Sequence, residues 1–317
     1  MKKIRYILTL AVVFAMFLSG AILKTDAVIF PEILAVLVGC VCTDRLPWKT
    51  DNIHTFILMT LSAFAGYAIT AFVPFPLYFK VLIGFIVPGI LIILSDCTMM
   101  PCISACLLPI YMGDASSVYP AAVSVMTALT LVMRQILINT GNKEAALRFH
   151  YTPDFMYDFG MWGRVLIIFA VLAAVPMLLF DFVKSYIPVF IPIDSEIIFF
   201  LAPPLVVTFV EGYFRDLYGK RFKIWFVISV AAATGALLRF IGVELLGFEP
   251  CIPAVLAAGI VLLEMNLMKI LFPPVGAVAL LPFIIKGNVF MYPPLVSLGC
   301  LTVLALSSLF GVGNKKG

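Results

Sequence analysis

Long apolar stretches, each close to the length at which a helix spans a bilayer, recur along most of this chain. An α-helix needs roughly 20 mostly apolar residues to cross the hydrocarbon core. A transmembrane barrel would instead show alternating segments of about 10 residues, and the sequence has none. The chain is 63% hydrophobic and 12% charged, whereas soluble domains are about half apolar and a quarter charged. We therefore predict an all-α, polytopic integral membrane protein whose main partner is the lipid bilayer.

The apolar pattern predicts about twelve transmembrane helices, two of them short. We place them near 6–24, 27–43, 55–73, 80–99, 101–113, 117–139, 164–183, 195–213, 224–243, 250–271, 274–286 and 293–312. The polar segment 141–163 is the longest hydrophilic stretch. It divides the chain into a first membrane unit, 1–140, and a second, 164–317, and we expect it to be a cytoplasmic linker.

The two units are related in sequence. Segment 99–120 aligns with segment 272–293 without a gap, at an offset of 173 residues. The alignment pairs Pro101 with Pro274, Pro109 with Pro282, and Tyr119-Pro120 with Tyr292-Pro293. Further upstream, Pro31 and Asp44 pair with Pro203 and Asp216 at an offset of 172, and in the next helix Gly66 pairs with Gly235. Self-similarity of this kind indicates an internal duplication, so we predict two six-helix repeats.

The basic residues predict the orientation. With twelve crossings and the N-terminus inside, sixteen Lys and Arg residues fall on or near the cytoplasmic side and five on the outer side, which is the bias of short cytoplasmic loops. Equivalent loops then face the same side, so the repeats are parallel. The N-terminus resembles a secretory signal, but its counterpart at 164–180 does not, which favours a retained helix. We expect a multi-pass protein of the cell (inner) membrane with both termini cytoplasmic.

Each repeat contains a helix that is interrupted at a proline and restarts as a piece of about 13 residues. Such a piece covers roughly 20 Å, less than the core thickness of about 30 Å. Proline is tolerated at the first position of a helix, so Pro101 and Pro274 are predicted helix starts at membrane depth. Their unpaired N–H groups would carry partial positive charge and need a polar partner.

These starts are the candidate binding site for a small solute. The candidate residues are Pro101, Cys102, Ser104, Phe272, Pro273, Pro274, Gly276 and Ala277. The alternative is that the segments are ordinary tight hairpins between tilted helices, with Gly276 and Ala277 serving close packing.

The stretch Phe272-Pro273-Pro274-Val275-Gly276-Ala277 resembles the motif of the HPP family of small polytopic membrane proteins. It keeps the Pro-Pro and the Gly-Ala, and has Phe272 where the family has histidine; segment 99–105 keeps one proline. A nitrite-transport role is attributed to some family members, so the resemblance implies passage of a small anion. A weaker likeness, through segment 31–45, is to the fusaric acid resistance and aromatic acid exporter-like membrane proteins.

Ionisable residues inside membrane spans usually face a partner or a cavity. Glu264 is the deepest acid, with Asn266 two residues on, and Arg134 lies at similar depth on another helix. Either Glu264 and Arg134 form a structural ion pair, or Glu264 binds a coupling proton or cation. Asp96 is expected to cap the short helix that starts at Pro101.

Glu32, beside Pro31, is expected at an outer entrance, and Arg239 is expected to snorkel or to pair with Glu244.

The sequence favours a secondary transporter or channel-like permease for a small solute such as an anion. It lacks a phosphate-binding glycine loop and the common catalytic motifs, so an enzyme, a cofactor, a metal site and nucleic-acid binding are not expected. The competing interpretation is a non-transporting scaffold or partner subunit of a larger membrane complex. A homo-oligomer is compatible with either.

Overall fold

A computed structural model describes residues 2–113, 115–141, 154–186, 200–215, 217, 219–285 and 288–311. Within these ranges the protein is all-α, with no strand. The α-helices are α1 (Lys2–Leu23), α2 (Glu32–Leu37), α3 (Asn52–Phe72), α4 (Leu77–Ser95), α5 (Pro101–Met112), α6 (Val118–Asn139), α7 (Phe155–Tyr186), α8 (Pro203–Phe214), α9 (Arg221–Leu238), α10 (Cys251–Leu267), α11 (Pro274–Leu280) and α12 (Tyr292–Phe310).

Six helical segments of the described chain are long and apolar enough to cross a membrane, judged by length and composition. They are Lys3–Leu23, Asn52–Phe72, Leu77–Ser95, Val118–Asn139, Arg221–Leu245 and Val289–Phe310. Pro101–Met112, Cys251–Leu267 and Pro274–Phe283 are apolar but shorter. Large hydrophobic side chains are exposed along these helices, for example Leu94, Leu267 and Leu309, as expected for surfaces that face lipid.

The predicted helix positions agree with the structure except where proline shortens a helix. The predicted helix 27–43 is instead α2 and a π-helical turn, Val38–Cys42, and the predicted helix 195–213 is α8, which starts at Pro203. Proline is favoured at the start of a helix, where its missing N–H is not needed, and hydropathy alone does not report such a start. The predicted linker 141–163 also ends early, since α7 begins at Phe155. Residues 195–199, 286 and 312 of the predicted helices lie outside the described residues.

The same three residue types, a proline, a tyrosine and a glycine, determine the contacts of each of the short helices α5 and α11. In α5, Pro109 has no N–H to donate to the carbonyl of Ala105, four residues earlier; the Tyr119 hydroxyl donates to that carbonyl instead, at 2.8 Å. In α11 and the 3₁₀ turn that follows it, Pro282 stands four residues after Val278, and the Tyr292 hydroxyl donates to the Val278 carbonyl, also at 2.8 Å. The carbonyl groups of Ala105 and Val278, which have no backbone donor because a proline stands four residues later, therefore accept a hydrogen bond from the next helix. An apolar environment requires such a partner.

The glycines allow the neighbouring helices to approach these short segments. A Cβ atom added to Gly66 on α3 would lie 2.2 Å from the carbonyl oxygen of Cys106 in α5. A Cβ added to Gly235 on α9 would lie 2.1 Å from the carbonyl oxygen of Ala279 in α11. Such separations are too short for any real Cβ, so each close contact requires glycine.

We predict that Tyr292→Phe and Tyr119→Phe each lower the free energy of unfolding by about 1–3 kcal/mol, the usual cost of an unsatisfied buried polar group. Thermal unfolding in detergent would measure the loss. Tyr67→Phe is the matched control, because Tyr67 is half-buried on α3 and has no hydrogen bond among the described residues. Adding Pro282→Ala to Tyr292→Phe gives the Val278 carbonyl a new backbone donor, and stability is expected to recover in part. Equal stability of all three single variants would contradict this interpretation of the tyrosines.

The two halves of the chain interlock. Helix α1 packs against α10, and α4 against α7; α2 packs against α11, and α5 against α8. Each of these contacts joins the first half of the chain to the second, and in chain order they form two matching sets: α1 with α10 and α4 with α7, then α2 with α11 and α5 with α8. The contacts within a half also correspond: α3 packs against α4, α5 and α6, while α9 packs against α10, α11 and α12. The short helices α2, α5, α8 and α11 thereby form the buried centre of the molecule.

Candidate functional site

The first turns of α5 and α11 have no unpaired amides. In α5 the N–H groups of Cys102 and Ile103 donate to the carbonyls of Met99 and Met100, at 3.2 and 3.0 Å. In α11 the N–H groups of Val275 and Gly276 donate to the carbonyls of Phe272 and Pro273, both at 3.1 Å. The helices do start at Pro101 and Pro274 as expected, but the expectation of free amide ends there is wrong. The preceding residues turn tightly enough to supply the acceptors.

The polar group at the centre is Glu32. It is the first residue of α2, follows Pro31 directly, and is 1% exposed. Its Oε1 accepts a hydrogen bond of 2.7 Å from the hydroxyl of Ser104, in the second turn of α5. Its Oε2 is buried and has no hydrogen-bond partner in the described part of the chain. The expectation that Glu32 lies at an outer entrance is therefore wrong, because the short α2 begins inside the protein.

Glu32 lies between elements of both halves. Helix α2 packs against α5 and α6 of its own half and against α11 of the other. The ring hydroxyls of Tyr119 and Tyr292 are near enough to interact electrostatically with the Glu32 carboxyl group. Phe30 packs edge-to-face on Tyr119, with ring centroids 6.0 Å apart. The two tyrosines that satisfy the short helices thus also border the buried carboxyl group.

The second half contributes packing instead of polar groups. At the offset of 173, Ala277 of α11 takes the place of Ser104, and Ala277 is 1% exposed. A Cβ on Gly276 would lie 2.7 Å from Cγ of Leu34, so α11 presses closely on α2. Phe272, Pro273 and Pro274 are buried around this contact. All eight candidate residues are buried, and of their side chains Ser104 is the one that makes the hydrogen bond to Glu32.

A cavity of about 400 Å³ opens at the C-terminal end of α5. Its lining includes Lys24, Asp26, Pro109, Gly113, Tyr119 and Ile284. Because Tyr119 also borders Glu32, the cavity approaches the buried carboxyl group from this end.

A second cavity, of about 460 Å³, opens at the N-terminal end of α5. Its lining includes Trp48, Lys49, Asp96, Met100, Asp158, Trp162, Glu211, Phe214 and Arg215. Since α5 has twelve residues, the two cavities are separated by a helix of roughly 18 Å.

Glu211 is the buried acid of the second cavity. It is 1% exposed, and its Oε1 accepts a hydrogen bond of 3.1 Å from Nε1 of Trp48. Its Oε2 lies 3.4 Å from Nη1 of Arg215. A Cβ on Gly39 would lie 2.3 Å from the Trp48 ring. The Trp48 ring therefore packs directly on Gly39, and its indole N–H reaches Glu211 from there. This contact joins the two halves at the end opposite to Tyr119.

Asp158 is an acid of the same cavity that is less buried than Glu211. It lies in the first turn of α7, before the apolar part of that helix. Partial burial raises the pKa of Asp158, and the carboxylates of Asp96 and Asp154 raise it further, while Lys49 acts in the opposite direction. Among the described residues, three acids and two basic residues line this cavity, so these side chains give its walls a small excess of negative charge.

The expected pair of Arg134 and Glu264 is not formed. Arg134, 2% exposed on α6, donates from Nη1 to Oδ1 of Asn52 at the start of α3. Both carboxyl oxygens of Glu264 are buried without a partner in the described residues. Helix α10, which carries Glu264 and the exposed Asn266, packs against α1, α9 and α11, whereas α6 packs against α3. Arg134 and Glu264 therefore lie on helices with different packing partners.

Asp96 does not cap α5. Met100 is the residue before α5, and no side chain caps that helix. Asp96 ends α4 in a left-handed conformation, with φ of 52°, and its Oδ2 lies 2.6 Å from Nζ of Lys49.

Arg239 does pair with Glu244, at 3.5 Å, and it also donates to the carbonyls of Pro282 and Ile285, each at 2.6 Å. Arg239 therefore closes the C-terminal end of the second short segment.

Among the described residues, no group of three or more His, Cys, Asp or Glu side chains is placed to bind a metal ion. Sequence reasoning missed Trp48 and Glu211 entirely, and their separation of 163 residues explains why no local pattern revealed them. No family model, no curated protein and no solved structure matches this chain, so its function has to be inferred from the geometry of its own residues.

Proposed function

We propose that this protein is a secondary transporter for a small solute, and that the solute binds at Glu32. The observation that carries the proposal is the Glu32 carboxyl group, which is buried where α2 packs against α5 and α11 and has one oxygen without a hydrogen-bond partner among the described residues. Burying a polar group without a partner costs about 1–3 kcal/mol, and a charge costs more. A group that is costly to stability and central to the fold is typical of a functional site in a membrane protein.

The duplicated architecture supports this proposal. We infer two parallel six-helix repeats, α1–α6 and α7–α12, and twelve crossings with both termini on the cytoplasmic side of the cell membrane. In favour of the duplication are the matching hydrogen bonds of Tyr119 and Tyr292, the matching close contacts of Gly66 and Gly235, and the corresponding helix contacts in the two halves. Transporters built from repeats bind their substrates between the repeats, at interrupted helices. The likeness of Phe272–Ala277 to the HPP motif is consistent with such a protein.

The two cavities support alternating access. They lie at opposite ends of α5, and Glu32 lies between them, next to the second turn of that helix. Tyr119 with Phe30 closes the approach from one cavity, and the packed start of α5 closes the approach from the other. This arrangement is that of an occluded state, which opens to one side at a time when the halves rock against each other.

The alternative function is a scaffold, and one observation favours it: the first turns of α5 and α11 are buried and, apart from the preceding Met100, line neither cavity. A scaffold stays closed at this place, whereas a transporter opens. The two functions therefore differ in whether water reaches Ser104.

Cysteine accessibility tests the proposal without knowledge of the solute. In a variant lacking the seven native cysteines, all of which are buried, Ser104→Cys is exposed to a membrane-impermeant methanethiosulfonate reagent from either side of sealed vesicles. Transport predicts labelling from both sides. Thr130→Cys is the matched control, because Thr130 is equally buried on α6 and lines neither cavity. Labelling of Ser104→Cys at the rate of this control, from both sides, would reject transport in favour of the scaffold.

A further inference from the structure

We propose that Glu32 holds a proton in the occluded state and exchanges it for a small cation, so that the transported solute is a cation and not an anion. This inference rests on the proposed transport function and names its substrate class and its coupling ion. It departs from the small anion that the sequence favoured.

In the part of the chain that the structure describes, no cationic side chain contacts the Glu32 carboxyl group. The titratable groups that interact with it electrostatically are Tyr119 from α6 and Tyr292 from α12, and the neighbouring α5 carries Cys102 and Cys106. All four are neutral at ordinary pH on their usual values. Helix α11 (Pro274–Leu280) contributes no titratable side chain.

The nearest basic groups on the elements around α2 are held elsewhere. Arg5 of α1 lies at the far end of the α2 segment, where it contacts Asp44 at 2.6 Å and the Cys42 carbonyl at 3.5 Å. Arg134 of α6 is bonded to Asn52. Lys24, at the end of α1, lines the cavity beyond Tyr119 together with Asp26. None of these three has a hydrogen bond to Glu32.

The hydrogen-bond pattern fits a neutral acid. One oxygen accepts the Ser104 hydroxyl at 2.7 Å, which leaves the second oxygen as the place for the proton. A dry carboxylate whose donors are all neutral carries a large desolvation penalty. The carboxylate form therefore requires a positive charge at Oε2, and the site alternates between a bound proton and a bound cation.

The exchange proceeds in two balanced steps. When the halves open to one side, the Glu32 O–H bond breaks, the proton passes to water in that cavity, and the carboxylate pairs with the entering cation. When they open to the other side, a proton from water returns to the carboxylate and the cation leaves. An anion in this place would meet either a carboxylate or a neutral acid without any cationic partner.

The second cavity also suits a cation. Trp48, Trp162 and Phe214 line it together with three acids, of which Asp96 pairs with Lys49 and Glu211 with Arg215, while Asp158 adds a further negative charge. The rings of Trp162 and Phe214 lie 5.2 Å apart and inclined by 42°. Aromatic faces attract organic cations, and carboxylates attract any cation. This cavity is therefore a suitable vestibule for a small ammonium-type solute.

Infrared difference spectroscopy of the full-length protein in lipid nanodiscs tests the proton site. All samples carry Glu264→Gln, which removes the other membrane acid with unpartnered oxygens. The protein is expected to show the carbonyl-stretch band of a protonated carboxylic acid near neutral pH, and Glu32→Gln abolishes that band. Ser104→Ala, which leaves the carboxyl group in place, retains it with a shifted frequency. A band that survives Glu32→Gln unchanged would overturn the proposal.

Adding solutes tests the cation. Methylammonium, guanidinium and sodium chlorides are compared with sodium nitrite at fixed pH. At least one of the three cations is expected to abolish the band by displacing the proton. Loss of the band with nitrite beyond that caused by sodium alone, or with none of the cations, would overturn cation exchange. Accessibility of Ser104→Cys is a separate measurement, so failure of this inference is distinguishable from failure of the transport function.

Discussion

Gly235→Ala is expected to destabilise the protein by about 3 kcal/mol, at the upper end of the usual cost of overpacking, and to lower its yield of folded material. The new methyl group would lie 2.1 Å from the carbonyl oxygen of Ala279 and 3.1 Å from Cγ of Pro282. The obstacle is backbone and cannot rotate away, so α9 and α11 have to separate. Their separation strains the adjoining hydrogen bond from Tyr292 to Val278.

Gly66→Ala tests the same prediction at the corresponding contact in the first half of the chain. Its methyl group would lie 2.2 Å from the carbonyl oxygen of Cys106 and 2.9 Å from Cγ of Pro109, so a similar loss is expected from an equivalent contact in the other half. Gly259→Ala is the matched control. It is also in a helix, its Cβ would meet only Leu10 at 3.9 Å, and alanine favours helix by up to about 1 kcal/mol.

Thermal unfolding in detergent, with folded yield after size-exclusion chromatography, measures all three variants. Losses at Gly66 and Gly235, together with a neutral or stabilising effect at Gly259, support the close contacts. A stable Gly235→Ala protein would show that α9 and α11 do not approach as closely as described.

Gly39→Ala is expected to cost about 3 kcal/mol and to move Trp48 into a more polar environment. The added methyl group would lie 2.3 Å from two carbons of the Trp48 ring. The displaced indole then loses its hydrogen bond to Glu211, which leaves a carboxyl group that is 1% exposed with only the 3.4 Å contact to Arg215. Losing a donor to a buried charged group is among the larger single-residue effects.

The measurement is the tryptophan emission maximum together with the unfolding temperature. A red shift and a lower unfolding temperature are expected for Gly39→Ala. Gly89→Ala is a matched control because it also places a methyl group beside a tryptophan, at 3.3 Å from the Trp162 ring, where a small adjustment suffices. An unshifted emission maximum in Gly39→Ala would contradict the described position of Trp48.

Under the proposed duplication, Gly39 and Glu211 show how the two repeats diverged. They stand at equivalent places at the offset of 172, but one is the space into which Trp48 packs and the other is the acid that Trp48 binds. The same holds for Ser104 and Ala277. The two halves share a backbone plan, whereas the polar groups of the candidate site come from one member of each pair.

The sequence was informative about features that depend on local chemistry. Proline at a helix start and a stretch of apolar residues act within a few positions, so the beginnings of α5 and α11 at Pro101 and Pro274 were predictable. The positions of α2 and α8 were less so, because hydropathy does not reveal that Pro31 and Pro203 cut the apolar stretch.

The polar contacts were not predictable, because they depend on how distant helices rotate and pack. Arg134 and its partner Asn52 are 82 residues apart, and Glu32 and Ser104 are 72 apart. Depth in the membrane suggested Glu264 for Arg134, yet depth does not fix the direction in which a side chain points. One signal in the sequence pointed to Glu32: it is an acid directly after a proline, Pro31, that has a counterpart in Pro203. That signal could be interpreted only with the short helix α2 known.

A reversible cross-link between the halves tests the central claim most directly. A Cβ on Gly276 lies 3.3 Å from Cβ of Leu34, close to the separation in disulfides of about 3.5–4.5 Å, so Leu34→Cys with Gly276→Cys can join α11 to α2. In a protein without the native cysteines, Glu32 is then labelled with a water-soluble carbodiimide and an amine, and the site is located by mass spectrometry. We predict no labelling of Glu32 while the disulfide is intact and labelling after reduction. Equal labelling in the two states would contradict a site that opens when the halves move apart.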